Sequence, residues 1–362
     1  MSTTKRSRAD AVTDWLTGTV GRKGHRTFRV RLLVQIGFAL TCVLIGYQLS
    51  RFYQAAKAGA VPLPYRPPGV EGFLPISGLM GALDWIYQGT LNRIHPAATI
   101  IVLLVLLSAL LLRKSFCSWI CPVGLVSEWL ARLGRKFWRR NFRPWRWIDR
   151  PLQSLKYLLL AFFVWAIVTM SAAELQAFIQ SPYNRVADIK MGLFFVNLGV
   201  VGVTVMLALV VGSVLVQGLW CRYLCPYGAL LGLFSWMSPV RIERQSEPCI
   251  DCGLCDQACM ARLPISRLQV VRSVECTGCV DCLAVCPASD ALELRARGRR
   301  LSVPAYAAAV VLLFLVGYTT ARFTGQWDND ISQAEYVERI QEIDDPDYGH
   351  PGGDGTVSAD NR

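Results

Sequence analysis

The sequence predicts an all-α polytopic membrane protein with five transmembrane helices and one small α+β domain that is rich in cysteine. Two observations support this fold class. Five stretches are apolar and long enough to cross a bilayer, whose hydrocarbon core of about 30 Å needs about 20 helical residues. Eight of the thirteen cysteines form two short runs between the fourth and the fifth of these stretches.

Composition excludes several other classes of protein. Of the 362 residues, 53% are hydrophobic and 18% are charged, whereas about 25% of the residues in an average soluble domain are charged. A single soluble globule would have to hide more apolar surface than its fold could cover. The same composition excludes intrinsic disorder and a collagen-like chain.

The predicted spans are helices, because strands would alternate apolar and polar residues and these stretches do not. Buried helices of a large soluble core are the alternative, but they would need amphipathic partner helices that the sequence lacks. No cleavable signal peptide is expected, since the first apolar run is too long for one and lacks a small-residue cleavage site after it. The spans cover residues 32–49, 96–112, 157–173, 193–217 and 301–321.

Basic residues predict the orientation, because Lys and Arg that flank the spans stay on the cytoplasmic side. Eight, ten and ten of them lie in segments 1–31, 113–154 and 218–300, against four, two and three in segments 50–95, 174–192 and 322–362. The N-terminus is therefore predicted in the cytoplasm of a bacterium and the acidic C-terminal tail outside its inner membrane, in the periplasm. The net charge of +12 then indicates contact with anionic lipid of the bilayer, not with nucleic acid.

The two cysteine runs have the spacing of iron–sulfur ligands. In such runs three thiolates wrap one face of a cubane, and the fourth reaches the other cluster. A structural zinc ribbon would use two pairs of cysteines and not two quartets; a purely structural cluster is the other alternative. Met260 stands where proline is usual, at a position that supplies no ligand. The spacing predicts one [4Fe–4S] cluster on Cys249, Cys252, Cys255 and Cys286, and a second on Cys276, Cys279, Cys282 and Cys259.

Four further cysteines form a repeat, and we call them the corner cysteines. Cys117-x3-Cys121-Pro and Cys221-x3-Cys225-Pro are offset by 104 residues, and each follows a span that runs inward. Because proline disfavours the α conformation in the residue before it, each motif is predicted to end one helix and to start another. The membrane core is therefore predicted to contain two parallel copies of a two-span hairpin. Cys42, alone in the first span, is predicted to be an apolar filler.

The chemistry of the corner cysteines stays open at this point. They are predicted on the inner side of the membrane, where disulfides are not expected. The duplication could bring the four thiols together, and they would then bind iron, zinc or copper(I), or a third cluster. They could also act as dithiols, or be closely packed corners without a metal.

The paired corner motifs, followed by a two-cluster ferredoxin, resemble the membrane polyferredoxins of the quinol-dehydrogenase kind found beside periplasmic nitrate reductase. The match covers roughly residues 75–297, and the stretch 220–229 is highly specific. The wider group includes the C-terminal half of the membrane regulator of nitrous oxide reduction and the copper-reducing assembly factors of cbb3 oxidases. The chain is most similar to the shorter electron-transport members. From the given sequence no flavin domain like that of the regulators is expected, and the outer tail of about forty residues is expected to be too short for the β-domain of the copper-reducing factors.

The resemblance implies an electron-transfer subunit of a quinol:acceptor oxidoreductase, which exchanges electrons with the quinone pool and with an unidentified redox protein. A quinol pocket is then expected near the corner motifs, where Trp119, Tyr223 and Tyr227 offer aromatic walls. Two other functions stay open. One is a maturation factor that reduces or delivers metal, such as copper, and the other is a membrane redox sensor.

An outer quinol site near Asp84, Tyr87 and His95 is a further alternative, but about 30 Å of hydrocarbon would separate it from the clusters. A bis-histidine haem could bridge that distance, but it needs two histidine ligands that face each other within the membrane. Besides His95, the chain has only His25 in the basic arm and His350 in the acidic tail. This chain alone is therefore not expected to bind such a haem. His95 is predicted to be an interfacial cap. Walker, Ser/His/Asp and GxGxxG motifs are absent, so the sequence does not support a hydrolase or a nucleotide-dependent enzyme.

The predicted domain order follows from these segments. A basic cytoplasmic arm precedes the four-span core, and the cytoplasmic ferredoxin domain precedes the fifth helix and the acidic outer tail. In the tail, Ser332-x-x-Glu335 is a capping-box signature for a short helix through about Ile343. The boundaries are 1–31, 32–237, 238–297, 298–323 and 324–362.

Overall fold

A computed structural model describes residues 22–138, 141–142, 144–288 and 290–349, and these residues are mostly helical. Residues 1–21 of the predicted basic arm lie outside the described residues, as does the end of the predicted tail from His350 onward. The α-helices are α1 (Arg22–Lys57), α2 (Pro75–Gln88), α3 (Pro96–Leu112), α4 (Pro122–Trp138), α5 (Arg146–Val168), α6 (Ala172–Gln180), α7 (Pro182–Arg185), α8 (Ala187–Val196), α9 (Val200–Leu215), α10 (Pro226–Ser235), α11 (Leu254–Ala258), α12 (Asp281–Ala284), α13 (Val303–Phe323) and α14 (Gln333–Gln341).

Four short strands form one antiparallel sheet in the order β2-β1-β3-β4. Ile242 in β1 lies opposite Leu294 in β3 on one side and Val271 in β2 on the other. The strands frame both cysteine runs, because the first run follows β1 and the second lies between β2 and β3. Their bounds are β1 (Val240–Arg244), β2 (Val270–Val271), β3 (Leu292–Ala296) and β4 (Arg299–Arg300).

Among the residues that the structure describes, three helices, α1, α5 and α13, are long and apolar enough to cross a membrane, and the bent pair α8 and α9 would make a fourth span. Only 11–17% of the most apolar window in each of the three is buried. Exposed side chains there include Leu40 and Phe162, at 63% and 58% exposure. A bilayer is the surrounding that can cover such surfaces. Helix α3 has the bounds predicted for the second span and is shorter, with 17 residues.

The predicted fourth span differs from a single straight helix. Helices α8 and α9 are separated by residues 197–199 and are bent by 77° relative to each other. Asn197, which follows α8, leaves the helical conformation with φ −110° and ψ 52°. Asn and Gly are poor helix formers, and the break contains both Asn197 and Gly199.

The chain forms two compact units. Unit 1 contains the sheet, and its core joins Val240, Ile242 and Leu294 of the strands to Trp119 and Tyr306. Its segments are Met1–Ala39, Val105–Leu159 and Val210–Phe314.

Unit 2 comprises Leu40–Leu104, Leu160–Leu209 and Leu315–Arg362. One of its cores includes Ile340 of α14. The Ser332 hydroxyl accepts a hydrogen bond from the Glu335 N–H at 3.1 Å and caps α14, as the capping-box signature predicts.

Candidate functional site

The two cysteine runs of unit 1 have the same backbone conformation. In each run the residue before the second cysteine and the residue after it have positive φ: Asp251 (51°) and Gly253 (72°), then Gly278 (63°) and Val280 (57°). Left-handed residues in such loops form nests, which turn backbone N–H groups toward an anion. A short helix, α11 or α12, then starts and carries the third cysteine of the run.

Val280 is the strained residue of this arrangement. A β-branched residue with positive φ is an outlier and costs about 1–3 kcal/mol. Its side chain is fully buried in the core of unit 1, and this packing holds the conformation. Strain of this kind is concentrated at binding sites.

The first predicted ligand set lines one cavity. Including its opening, the cavity encloses about 360 Å³, and its lining contains Cys249, Cys252, Cys255 and Cys286. The last cysteine of the second run thus lies beside three cysteines of the first run. Four thiol donors around one space fit the ligand set of a [4Fe–4S] cluster.

The second predicted set is more deeply buried. Cys259 and Cys276 are 8% exposed and Cys282 is 3% exposed. The Cys282 thiol interacts electrostatically with those of Cys279, Cys259 and Cys276. The four thiols thus lie within electrostatic range of one another, as the ligands of one [4Fe–4S] cluster would.

Burial raises the pKa of five of these thiols, which are those of Cys255, Cys259, Cys279, Cys282 and Cys286. It raises the pKa of Cys255 to about 12, and the pKa values of Cys259 and Cys286 to about 11. These five thiols are therefore protonated at neutral pH in the metal-free protein. Because iron binds thiolates, loading these sites releases protons.

The two corner motifs also share one conformation. Each contains a π-helical turn, Phe116–Ile120 in the first motif and Trp220–Leu224 in the second. The N–H of the second cysteine donates to the carbonyl oxygen five residues before it, at 2.9 Å in both motifs. The next proline starts α4 or α10, so the predicted helix breaks are confirmed. Single π-turns of this kind are frequent at functional sites.

The four corner thiols lie within electrostatic range of one another. The Cys117 thiol interacts electrostatically with those of Cys121, Cys225 and Cys221. No disulfide joins any of the thirteen cysteines, all of which lie in the described part of the chain. Among the described residues, no three His, Cys, Asp or Glu side chains are arranged to hold a single metal ion. In a four-iron cluster each thiolate binds a different iron, so convergence on one point is not required.

The first corner motif contacts the second ligand set. The Ser118 hydroxyl donates to the Thr277 carbonyl oxygen at 2.8 Å. The Trp119 indole N–H donates to the carbonyl oxygen of Gly278 at 3.0 Å. Both carbonyl groups belong to the loop between Cys276 and Cys279.

The second corner motif contacts the same ligand set from the other cysteine run. Arg222 donates to the Ala261 carbonyl oxygen at 2.8 Å and forms an ion pair with Asp149. Gln217, just before the motif, donates to the Cys259 carbonyl oxygen at 3.4 Å and to the Met260 sulfur at 3.0 Å. Both corner motifs therefore contact the segments that carry the second set.

A buried charged cluster beside the corner cysteines was missed by the sequence reasoning. The ammonium groups of Lys156 and Lys114 lie 2.6 Å and 3.7 Å from the carboxylate of Glu275. The Tyr157 hydroxyl donates to the same carboxylate at 3.0 Å. Glu275 directly precedes Cys276. The sequence did show that Lys156 opens an apolar stretch, and an ionisable residue within a transmembrane helix usually marks a functional site.

The aromatic residues expected to line a quinol pocket are largely engaged in other contacts. Trp119 is fully buried and packs edge-on against Tyr306. Tyr223 is 5% exposed and donates its hydroxyl to Asp149. Tyr227 is less buried and packs edge-on against Phe116.

The residues of the alternative outer site belong to unit 2, and they have separate partners. Asp84 is buried and accepts hydrogen bonds from Gln176 and Asn92. Tyr87 is 47% exposed. Within the described part of the chain, the hydrogen-bond partners of Asp84 thus do not include Tyr87.

His95, predicted to be an interfacial cap, is buried within the protein, at 4% exposure. Its Nε2 donates to the Asn184 carbonyl oxygen at 2.6 Å, and its Nδ1 lies 3.3 Å from the Glu71 carboxylate. Glu71 also accepts a hydrogen bond from the Ala98 N–H at 3.0 Å, so Glu71, not His95, caps α3. The side chain of His25 and all of His350 lie outside the described residues.

The comparisons with known proteins place the chain among cluster-binding proteins. A family model described as "4Fe-4S binding domain" matches residues 94–141 and 198–245. The two matches begin 104 residues apart, which is also the offset of the corner motifs. No solved structure matches.

Three curated relatives represent the matches along the sequence. "Putative electron transport protein YccM" of Escherichia coli (strain K12) is 37% identical over 93% of this chain and 94% of its own length. "Methylamine utilization ferredoxin-type protein MauN" of Methylorubrum extorquens is 32% identical over 66% of this chain and 76% of its own length. "Ferredoxin-type protein NapH" of Haemophilus influenzae is 27% identical over 54% and 68%, respectively.

Proposed function

The chain belongs to the family of membrane polyferredoxins that includes YccM, MauN and NapH, and on this basis we propose that it transfers electrons at a membrane through two [4Fe–4S] clusters. The descriptions of these relatives as electron-transport or ferredoxin-type proteins support the proposal. The cavity lined by Cys249, Cys252, Cys255 and Cys286 is the observation that carries it.

The protein contributes ligands, hydrogen-bond donors and burial to the proposed sites. Bound [4Fe–4S] clusters would accept and donate single electrons. Cys249, Cys252, Cys255 and Cys286 would hold the first, and Cys276, Cys279, Cys282 and Cys259 the second. The left-handed residues around Cys252 and Cys279 would direct N–H groups to the sulfur atoms and tune the reduction potential.

The two ligand sets have different surroundings and therefore different proposed partners. The first set lines a cavity with an opening, so an unidentified redox protein would approach there. The second set is buried and contacts both corner motifs. A membrane carrier would therefore exchange electrons on the side of the second set.

Quinol is the membrane carrier that we propose, with its site close to the corner motifs. The family resemblance to quinol-dehydrogenase polyferredoxins supports this carrier. Trp119 and Tyr223 already have protein partners, so of the three expected aromatic residues Tyr227 is the one most available to a quinol ring. The chain would then be an electron-transfer subunit of a quinol:acceptor oxidoreductase.

The proposed membrane arrangement has five spans and two parallel repeats. The spans would be α1, α3, α5, the bent pair of α8 and α9, and α13. The offset of 104 residues between the two family matches supports the repeat. The distribution of basic residues supports a cytoplasmic N-terminus and ferredoxin domain and a periplasmic C-terminus.

Metal handling is a second candidate function, because the four corner thiols lie within electrostatic range of one another. A maturation factor would use these thiols as its working site and the clusters as its electron supply. The two functions differ in their acceptor. Electron transport requires a redox protein, whereas metal handling requires a bound and reducible metal ion such as copper(II).

Reduction of the anaerobic, purified protein by a quinol analogue, followed by EPR spectroscopy, tests the main proposal. We expect two cluster signals and, for these two clusters, about eight iron atoms and eight sulfides per chain. Cys252→Ser should remove one signal and Cys279→Ser the other, since each removes a thiolate from a different set. Cys42→Ser is the matched control and should retain both. Two intact signals in the Cys252→Ser/Cys279→Ser protein would refute the ligand assignment.

A further inference from the structure

Arg113 is a buried arginine to which the described residues offer no counter-ion. It directly follows α3 and is 2% exposed. Two of its guanidinium nitrogens, Nε and Nη1, have no hydrogen-bond partner among the described residues. The third, Nη2, donates to the backbone carbonyl oxygen of Ser273 at 2.7 Å. The last carbonyl groups of α3 supply only about half an elementary negative charge, so most of the positive charge of Arg113 is not compensated.

This charge cannot be avoided by loss of a proton, because arginine stays protonated in proteins. Burial of a charge without a partner is strongly unfavourable. The backbone of Arg113 is also strained, since its φ of 61° favours glycine. Its N–H donates to the Ser238 hydroxyl at 3.1 Å, which also accepts from the Val240 N–H at 3.2 Å. Arg113 is therefore held in place at the start of β1.

Arg113 contacts the loop that carries the second ligand set. The Ser273 carbonyl oxygen that accepts from Arg113 also accepts from the N–H of Cys276, at 3.1 Å. A β-carbon at Gly278, between Cys276 and Cys279, would lie 3.5 Å from the β-carbon of Arg113. These contacts place the buried arginine directly beside the backbone of two predicted cluster ligands.

The carboxylates nearest to this loop in the chain already have cations of their own. Asp281, between the second and third cysteines of the run, forms an ion pair with the buried Arg31. Glu275, just before the first cysteine, pairs with Lys156 at 2.6 Å and with Lys114 at 3.7 Å. Neither carboxylate therefore supplies the negative charge that the arginine beside the loop lacks.

We propose that Arg113 is the counter-ion of the second cluster and raises its reduction potential. The inference rests on the proposed function, which places this cluster on Cys276, Cys279, Cys282 and Cys259. Four thiolates make a [4Fe–4S] cluster anionic in both redox states, and reduction adds one more negative charge. A buried cation stabilises the reduced state more than the oxidised state, because electrostatic interactions are strong away from water.

This role fits the proposed exchange of electrons between the second cluster and quinol. Burial alone disfavours the additional negative charge of a reduced cluster, as it disfavours any buried anion. A quinol is a mild reductant, so a cluster that accepts its electrons must be easily reduced. Arg113 opposes the effect of burial at the second set. At the first set, Arg244 lines the cavity and pairs with Asp251 at 3.8 Å.

Redox titration of the anaerobic full-length protein, followed by EPR spectroscopy, tests the proposal. Cys252→Ser and Cys279→Ser assign the two signals to their clusters. Arg113→Met should lower the equilibrium constant for reduction of the second cluster about tenfold, a shift of about −59 mV for one electron, and should leave the first cluster unchanged. Arg113→Lys should retain most of the wild-type potential. Arg300→Met is the matched control and should shift neither potential, because Arg300 is 62% exposed and pairs with Asp290.

Thermal unfolding separates a counter-ion from a packing residue. In the Cys279→Ser protein, which should lack the second cluster, Arg113→Met removes an uncompensated buried charge and should raise the Tm. In the protein with both clusters the same change should lower the Tm, because the cluster loses its counter-ion. A lowered Tm in the Cys279→Ser protein would overturn the inference. This comparison also decides the case in which Arg113→Met loses the second signal.

The titration can fail in two distinguishable ways. A second potential that does not move in Arg113→Met, or two potentials that move equally, would overturn the inference and leave the proposed function intact. A wild-type protein without the two ferredoxin signals would instead contradict the proposed function itself.

Discussion

Two glycines in the cysteine runs have the same backbone conformation and different surroundings. Gly253 and Gly278 both have positive φ, and a side chain at either position costs about 1–2 kcal/mol. A β-carbon at Gly253 would meet no atom within 4 Å, whereas one at Gly278 would lie 2.5 Å from the Tyr306 hydroxyl oxygen. Gly278 is therefore required by its close packing as well as by its φ angle.

We expect Gly278→Ala to disrupt the second ligand set and to leave the first intact. The alanine must displace Tyr306 or the loop between Cys276 and Cys279. Anaerobic iron content should fall toward half of that of the two ferredoxin clusters, with one EPR signal retained. Gly253→Ala, the matched control, bears only the conformational cost and should retain both signals. Equal losses in the two variants would mean that φ, and not the contact with Tyr306, sets the requirement.

We expect His95 to make the stability of unit 2 depend on pH. Burial alone would lower its pKa, but the Glu71 carboxylate and, more weakly, Asp188 outweigh burial and the opposing charge of Arg66, so the pKa is raised. The geometry agrees, because Nε2 donates to the Asn184 carbonyl oxygen while Nδ1 faces a carboxylate. In the protonated form both ring nitrogens carry a proton, and the charge of the ring lies beside the Glu71 carboxylate.

The protonated His95 should stabilise the folded protein fully below about pH 6.5, its ordinary pKa. This contribution is lost as the pH rises through the raised pKa of the folded state. Thermal unfolding in detergent should show a Tm that falls over this range, and His95→Gln should reduce the fall. A His95→Gln protein with an unchanged pH profile would assign the dependence to other groups.

At the residue scale, the sequence could predict ligands but not charge partners. The cysteines of each run are only a few residues apart, and this short separation limits which thiols can reach one cluster. The assignment of each ligand to its cluster stays a prediction. The contact of Lys156 with Glu275 joins residues 119 positions apart. No periodicity or motif encodes such a contact, because it depends on how the helices pack.

At the scale of elements, the corner motifs act as a pair. Their turns share one backbone hydrogen bond and one proline-started helix, and their four thiols lie close together. Single Cys→Ser changes in either motif should therefore cause the same loss of quinol-linked reduction. A second change in the other motif should add little, because one shared site is already lost. Losses that add independently would show two separate sites.

The start of a helix was easier to predict than its interruption. Pro122 and Pro226 fix where α4 and α10 begin, because proline constrains its own φ and the residue before it. The π-turns could not be predicted, since no residue type requires them. The break at 197–199 was missed because hydropathy averages over Asn197 and Gly199, although both are poor helix formers.

At the scale of the whole molecule, the topology can be measured directly. A reporter fused after Arg362 should be active only in the periplasm, and one inserted near Gly298 should report the cytoplasm. The two reporters lie on opposite sides of α13, which serves as an internal control. A cytoplasmic signal from the C-terminal fusion would mean that the number of spans is even.

Hydropathy identified the helices that are long and apolar, because burial in lipid demands length and apolarity from one continuous segment. It did not identify the contacts of the ferredoxin segment with the corner motifs. These contacts use backbone carbonyl oxygens of Thr277, Gly278 and Ala261. Every residue has a backbone carbonyl oxygen, so hydrogen bonds to these oxygens cannot be predicted from residue types.

The burial of the second ligand set constrains the biogenesis of the protein. Tyr306 of α13 donates to the Leu112 carbonyl oxygen at 2.6 Å and packs against Trp119 and Gly278, so the last apolar helix helps to cover this set. During translation the corner motifs are made first, the cysteine runs next and α13 last. If Cys259, Cys276 and Cys282 hold the proposed cluster, we expect iron and sulfide to reach them before α13 packs into place. Iron starvation during synthesis should then leave chains in which α13 lacks its contacts with Trp119 and Gly278.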